Sequence, residues 1–191
     1  MRALIFAAAL FAAGAAHAEP VTYVLDPAHT QVAFSIDRFG YNHVLGRFED
    51  VAGEIVLDEA NPANSSVHAV MQIASIDTGS DTRDGHLRDQ RWLNAAQYPT
   101  MEFRSTSVRM TGERTAEVAG SLTLLGQTHP VTLNVTMNQV GETGASHQRT
   151  AGFSATGALT RSTWGSTGGG GAIGDSVAIQ IEALGKVPAA N

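Results

Sequence analysis

The chain has 191 residues, 43% hydrophobic and 16% charged, enough for one globular domain with a full core and too apolar for a disordered chain. A formal charge of −6, with no visible Lys/Arg cluster, argues against nucleic acid or an anionic lipid face as a partner. The absence of cysteine excludes disulfides and thiolate metal sites, so the fold must rest on its core.

Residues 1–18 read as a secretory signal. Met1-Arg2 is a minimal positive start, Ala3 to Ala13 is an unbroken apolar run, and Ala16-His17-Ala18 has the small-x-small form of a cleavage site. The run is shorter than the ~20 apolar residues a spanning helix needs. The expectation is cleavage near Ala18, a mature chain from Glu19 in the periplasm, and no stable membrane insertion.

From Tyr23 onward the dominant signal has period two. Val32, Phe34 and Ile36 alternate with more polar neighbours, as do Val67, Ala69, Met71 and Ile73, then Val131, Leu133, Val135 and Met137, and finally Val177, Ile179 and Ile181. Turn signals stand between these runs at Asp26-Pro27, Asn61-Pro62, Thr111-Gly112, Gly126 and Gly141 to Gly144. Short strands with one apolar face and few helices predict an all-β antiparallel barrel, which buries that face and removes sheet edges. Aromatic content of 6% and a non-strand C-terminus argue against an outer-membrane barrel.

One charged stretch, Ser75 to Phe103, interrupts the strands. Asp81 or Thr82 is placed to cap a short helix from Arg83, with Asp84 in its first turn and Gly85 limiting its length. Leu87, Trp92 and Leu93 are available to dock it. Tyr98-Pro99 then forces extension into a strand from Thr100 to Ser107.

Reactive constellations are weak. Asp84 and His86 are two residues apart, which on a helix puts them on different faces, and His29 has no partner in an HExxH-type pattern, so no metal site is predicted. No Gly-x-Ser-x-Gly elbow surrounds Ser75, Ser105 or Ser162. Gly168 to Gly171 lacks the Lys-Ser/Thr of a phosphate loop and reads as a hairpin loop at the barrel mouth. Arg161 is open between a ligand headgroup and pairing with Asp84 or Asp175.

Several ordered motifs resemble the YceI-like family of bacterial polyisoprenoid-binding proteins. They are Tyr23-x-Leu25-Asp26-x-x-His29-Thr30-x-Val32-x-Phe34; Gly40-x-x-x-Val44-x-Gly46-Arg47-Phe48 with Gly53; and Ser75-Ile76-x-Thr78 with Arg83-Asp84-x-His86-Leu87-Arg88 and Tyr98-Pro99-x-x-x-Phe103. Gly120-x-Leu122-Thr123-Leu124-x-Gly126-x-Thr128-x-Pro130-Val131 and Arg161-Ser162-x-Trp164-Gly165 with Gly174-Asp175-x-Val177 complete the match over the mature chain. The chain departs from the family's usual residues at Arg38, Trp92, Leu93 and Thr163-Trp164.

The resemblance implies a lipocalin-like β-barrel with one or two short helices over residues 19–191, binding a long isoprenoid such as a quinone or polyprenyl lipid. No other cofactor and no covalent chemistry are implied. Alternation alone cannot tell a tunnel from a filled core. With the resemblance, the expected ligand contacts are Val32, Phe34, Ile36, Met71, Ile73, Leu87, Trp92, Leu93, Phe103, Leu122, Leu124, Leu133, Phe153, Arg161, Trp164, Val177 and Ile179. Two other readings stay open: a small enzyme using Asp84, His86 and Arg161, and an interaction protein with a solid barrel. A homodimer is compatible with the sequence, and no residue decides it.

Overall fold

The computed structural model describes residues 19–144 and 147–189; the expected signal sequence and its cleavage point lie outside them. The strands are β1 (Val21–Leu25), β2 (Gln31–Arg38), β3 (Asn42–Phe48), β4 (Val51–Leu57), β5 (Ser66–Gln72), β6 (Ile76–Asp77), β7 (Thr100–Met110), β8 (Thr115–Leu124), β9 (Gln127–Thr143), β10 (Gln148–Thr160) and β11 (Ile173–Lys186). The helix α1 (Asp81–Arg88) stands between β6 and β7.

These strands make an eight-position antiparallel barrel, because three pairs act as single strands bent at a corner. β1 and β2 both pair with β11, at Gly185–Lys186 and at Ile173–Glu182 respectively. β3 and β4 run beside β2 and β1, and β6 and β5 run beside β3 and β4. The pairing of β1 with β11 closes the cylinder. β6 covers only Arg47 and Phe48 of β3. The gap above it is occupied by α1 and residues 89–99, so closure at this end depends on side chains rather than a ladder.

Each corner has a polar pin. At the first, the Asp26 carboxylate accepts from the Ala28 N–H at 3.0 Å and from Lys186 Nζ at 2.5 Å, and meets His29 Nδ1 at 2.9 Å. Lys186 chiefly, then His29, holds the Asp26 carboxyl down at about 2. A depressed carboxyl stabilises the fold above its unfolded pKa near ~3.9, and the gain is lost as pH falls toward the folded value. Wild type should therefore lose stability between about pH 4 and pH 2. In Asp26→Asn that loss should be smaller, and at pH 7 the variant should be less stable by about 1 kcal/mol, read by denaturant titration. An unchanged acid profile would remove Asp26 from this role.

At another corner, Ser75 Oγ accepts from the Asp50 N–H at 3.0 Å and donates to the Gln72 carbonyl at 2.7 Å. The chain there tightens into a 3₁₀ turn over Ile73–Ser75. The alternation that predicts Ile73 as a fourth inward residue of β5 stops at Gln72.

Period two holds elsewhere, and β9 runs further than its turn signal implies. Gly141 is still paired with Thr150, and the turn begins at Gly144. The N-cap of α1 is Ser80, without a side-chain cap bond, rather than Asp81 or Thr82. A bulge between Gly152 and Phe153 shifts the β9–β10 register. The main core gathers Met71, Ile73, Met101, Phe103, Leu122, Leu124 and Trp164, and a smaller cluster around Tyr23, Leu57 and Ala151 seals the far end.

Candidate functional site

Along β2 and β11, Val32, Phe34, Ile36, Val177, Ile179 and Ile181 share the inward face. They are nevertheless only half-buried, whereas Leu122, Leu124 and Leu133 on the opposite wall are 5–8% exposed. Inward-facing apolar residues that stay accessible mark unfilled space. That space is a cavity of about 660 Å³, within the roughly 300–1,000 Å³ usual for small-molecule sites. The barrel is not solid.

The roof comes from the charged stretch. Leu87 of α1, then Trp92 and Leu93 from the turns after it, line the cavity. Asp84 is 5% exposed and accepts from the Thr78 N–H at 3.0 Å and Thr78 Oγ1 at 2.5 Å. Arg83 donates to Thr78 Oγ1 and to its carbonyl, both at 2.7 Å. This knot fixes the start of α1, and Arg88 ties its end to the Ala74 carbonyl at 3.0 Å. The glycine run packs against the roof: a Cβ on Gly168 would lie 2.6 Å from the Trp92 ring.

Two further glycines shape the walls. A Cβ at Gly46 would stand 2.4 Å from the Phe34 ring, and one at Gly120 would stand 2.4 Å from the Phe103 ring. Each ring lies flat against the barrel wall because its neighbour has no side chain, which keeps the centre open.

Below this chamber a second cavity of about 580 Å³ fills the other half of the barrel. Val32, Met71, Phe103, Leu133 and Ile181 line both, forming a neck between them.

Thirteen of the expected contacts line the upper chamber on their apolar faces or are among its buried walls: Val32, Phe34, Ile36, Met71, Leu87, Trp92, Leu93, Phe103, Leu122, Leu124, Leu133, Val177 and Ile179. Two apolar expectations, Ile73 and Trp164, are corrected, and Phe153 falls in the lower half of the barrel. Ile73 is 0% exposed in the core, because the 3₁₀ turn removes it from the inward row. Phe153 lines the lower cavity, on the inward face of β10 beside Met137 of β9. Trp164 is 2% exposed and is not among the chamber's lining; its Nε1–H donates to the Leu122 carbonyl at 3.0 Å, and its ring meets His129 edge-on at 5.2 Å.

Arg161 does line the chamber, but it pairs with neither Asp84 nor Asp175. Its guanidinium donates to the carbonyls of Gly174 at 2.9 Å, Ser166 at 2.7 Å and Ile173 at 3.2 Å, and stands 5.5 Å from the Trp92 ring centre. Asp175 instead accepts from the Ser162 hydroxyl at 2.6 Å and its N–H at 2.9 Å, which hold its carboxyl below the usual range. Among the described residues, Asp84, His86 and Arg161 share no hydrogen bond or ion pair. The enzyme reading thus gains no constellation from the fold.

The opening carries a feature that the sequence does not show. Arg38, Arg83, His86, Arg91 and Arg161 line the chamber, and among the described residues no Asp or Glu does. Ion pairs of Arg and Lys among the described residues are made by Arg47, Arg104, Arg109, Arg149 and Lys186, all elsewhere. An apolar chamber lined by arginines that have no carboxylate at ion-pair distance among the described residues can take an amphiphile whose tail is apolar and whose head is polar or anionic. The four arginines come from β2, α1, the turns after it and the 3₁₀ turn after β10, so no single motif announces them.

A family model described as the YceI-like domain matches residues 23–184. A protein named UPF0312 protein from Pseudomonas savastanoi pv. phaseolicola is 37% identical over 89% of this chain and 88% of its own length. Protein YceI of Escherichia coli O157:H7 is 38% identical over 82% of this chain and 81% of its own length. Among solved structures, BcnA of Burkholderia cenocepacia superposes with a TM-score of 0.72 at 24% identity, covering 84% of this chain and 98% of its own. A polyisoprenoid-binding domain from Saccharophagus degradans does so with a TM-score of 0.64 at 18% identity, covering 87% and 98%.

Proposed function

The chain belongs to the YceI-like family, and on that footing we propose that it is a periplasmic binding protein that carries or sequesters a polyisoprenoid lipid, an isoprenoid quinone or polyprenyl lipid, without covalent chemistry. The observation that carries this reading is the apolar chamber of about 660 Å³, whose lining among the described residues includes arginines and no carboxylate. A related barrel from Saccharophagus degradans is described as polyisoprenoid-binding, which supports the same ligand class. The tail lies between β2, β11 and the β8–β9 wall, where each buried CH₂ contributes about 0.8 kcal/mol. The head sits at the mouth beside Arg38, Arg83, His86 and Arg91. Signal-directed export accounts for how the protein meets such lipids.

The test is a titration of delipidated protein with an isoprenoid quinone, followed by indole emission. Trp92 lines the chamber and Trp164 is sealed in the core, so saturable quenching should occur and should largely vanish in Trp92→Phe. No quenching, together with no quinone retained after gel filtration, contradicts the reading.

A further inference from the structure

The β2–β3 hairpin reaches solvent beside the chamber mouth with an apolar tip. Phe39 is 55% exposed, Tyr41 89% and Leu45 68%, and they are the most exposed large apolar side chains among the described residues. Single exposed apolar residues need no explanation, but three on one hairpin at the entrance of an apolar chamber form a patch. Arg38, Val44 and Ile173, on and beside this hairpin, line the opening itself.

The tip is also held at a local cost. A turn over Arg38 to Tyr41 is closed by the Tyr41 N–H on the Arg38 carbonyl at 3.1 Å, and Phe39 and Gly40 have φ of 56° and 70°. Turns with positive φ at both central positions favour Asn or Gly at the first, and an aromatic residue there is strained. Phe39 is therefore poor for the turn and poor for solvent. The turn is anchored all the same, by the Phe39 N–H on the Ala172 carbonyl at 2.7 Å and the Gly40 N–H on Asp37 at 3.0 Å.

Charge identifies the occupant. The Arg38 guanidinium stands 4.9 Å from the Phe39 ring centre, and exposed Arg91 lies across the same opening. The carboxylates nearby are Asp37, on the hairpin itself and turned back onto the Gly40 N–H, Asp175, held by Ser162, and Asp81 and Asp89 at the two ends of α1; among the described residues none of them lines the chamber. An overall acidic chain thus turns cations and an apolar tip outward at the place where its chamber opens. The composition-based expectation of no anionic lipid face rests on the lack of a Lys/Arg cluster in sequence, whereas Arg38 and Arg91 come to one chamber only in the fold.

We propose that the mouth face docks peripherally on an anionic phospholipid bilayer, with Phe39, Tyr41 and Leu45 seated among the headgroups and Arg38 and Arg91 on lipid phosphates. The role of that docking, moving a lipid between bilayer and chamber without exposing its tail to water, rests on the binding function proposed above. Aromatic and Arg side chains suit the interface, having an apolar body and a polar end.

Co-sedimentation tests this with vesicles of phosphatidylcholine alone and of equal parts phosphatidylcholine and phosphatidylglycerol. Wild type should bind the anionic vesicles, salt should weaken binding, and Phe39→Asn with Tyr41→Ser should lose about tenfold or more in partitioning. Phe39→Asn alone should melt no lower than wild type, because Asn suits the turn, so lost binding cannot be ascribed to unfolding. Both variants should still take up isoprenoid quinone supplied from ethanol. Failure of wild type to sediment, or equal sedimentation of the variants, overturns the docking surface. A concentration-dependent dimer that the same substitutions abolish would assign the patch to a second copy and overturn it too. Vesicle binding without any quinone uptake would support the surface while refuting the occupant of the chamber.

Discussion

Ile179→Trp is expected to lower affinity for an isoprenoid quinone by about tenfold or more while changing stability by no more than about 1 kcal/mol. Ile179 pairs with Phe34 across β11 and β2, faces the chamber and is half-buried. An indole there extends into open volume instead of displacing packed neighbours, so the usual cost of overfilling a core is avoided. Displacing only two CH₂ groups of ligand, at about 0.8 kcal/mol each, already gives about tenfold. Quinone titration and thermal melting of the same preparation check the two halves. Undiminished affinity would place the ligand outside the upper chamber. A large loss of stability would mean that the wall is packed rather than lining a void.

The opposite pattern is expected at Trp164. Trp164→Ala removes a side chain that is 2% exposed and leaves a hole beneath β8, where its indole N–H had satisfied the Leu122 carbonyl. Large aromatic truncations of this kind cost about 3–5 kcal/mol. At about 2–4 °C per kcal/mol for a domain of this size, Tm should fall by about 10 °C. Because Trp164 does not line the upper chamber, quinone affinity of the folded fraction should change little. A normal Tm with lost affinity would return Trp164 to the ligand site.

The sequence revealed the barrel because period two survives wherever one face of a strand looks inward and the other to water, as in β2, β9 and β11. It could not reveal the corners. Ile73 continues an alternating row in sequence, but the Ser75 hydroxyl stabilises a 3₁₀ turn that takes it into the core. Phe153 keeps its inward place in β10 but sits further along the strand, in the lower half of the barrel beside Met137 and Ala183. The first difference comes from a backbone irregularity that carries no hydrophobic signature, and the second from position along the barrel axis, which alternation does not encode.

The polar motif residues show a related limit. Asp84, Arg161 and Asp175 stand out in sequence as candidate chemistry or pairing groups, and each satisfies backbone or neighbouring groups where a strand ends or bends. Arg161 in particular caps three carbonyls of the Ser166–Gly174 segment, a role visible only when that loop is folded. The mouth cations were illegible for the reverse reason. Arg38 and Arg91 are ordinary surface residues in sequence, and the topology alone brings them to one opening. Emptiness was equally hidden, since Gly46 and Gly120 reveal their purpose only when the rings of Phe34 and Phe103 are seen lying against them.

The most direct test is native mass spectrometry of the protein purified without detergent, followed by identification of the lipid released into organic solvent. The account predicts a bound polyisoprenoid, one per chain, or its uptake when the emptied protein is offered an isoprenoid quinone. Protein that carries no lipid and takes up none would contradict it.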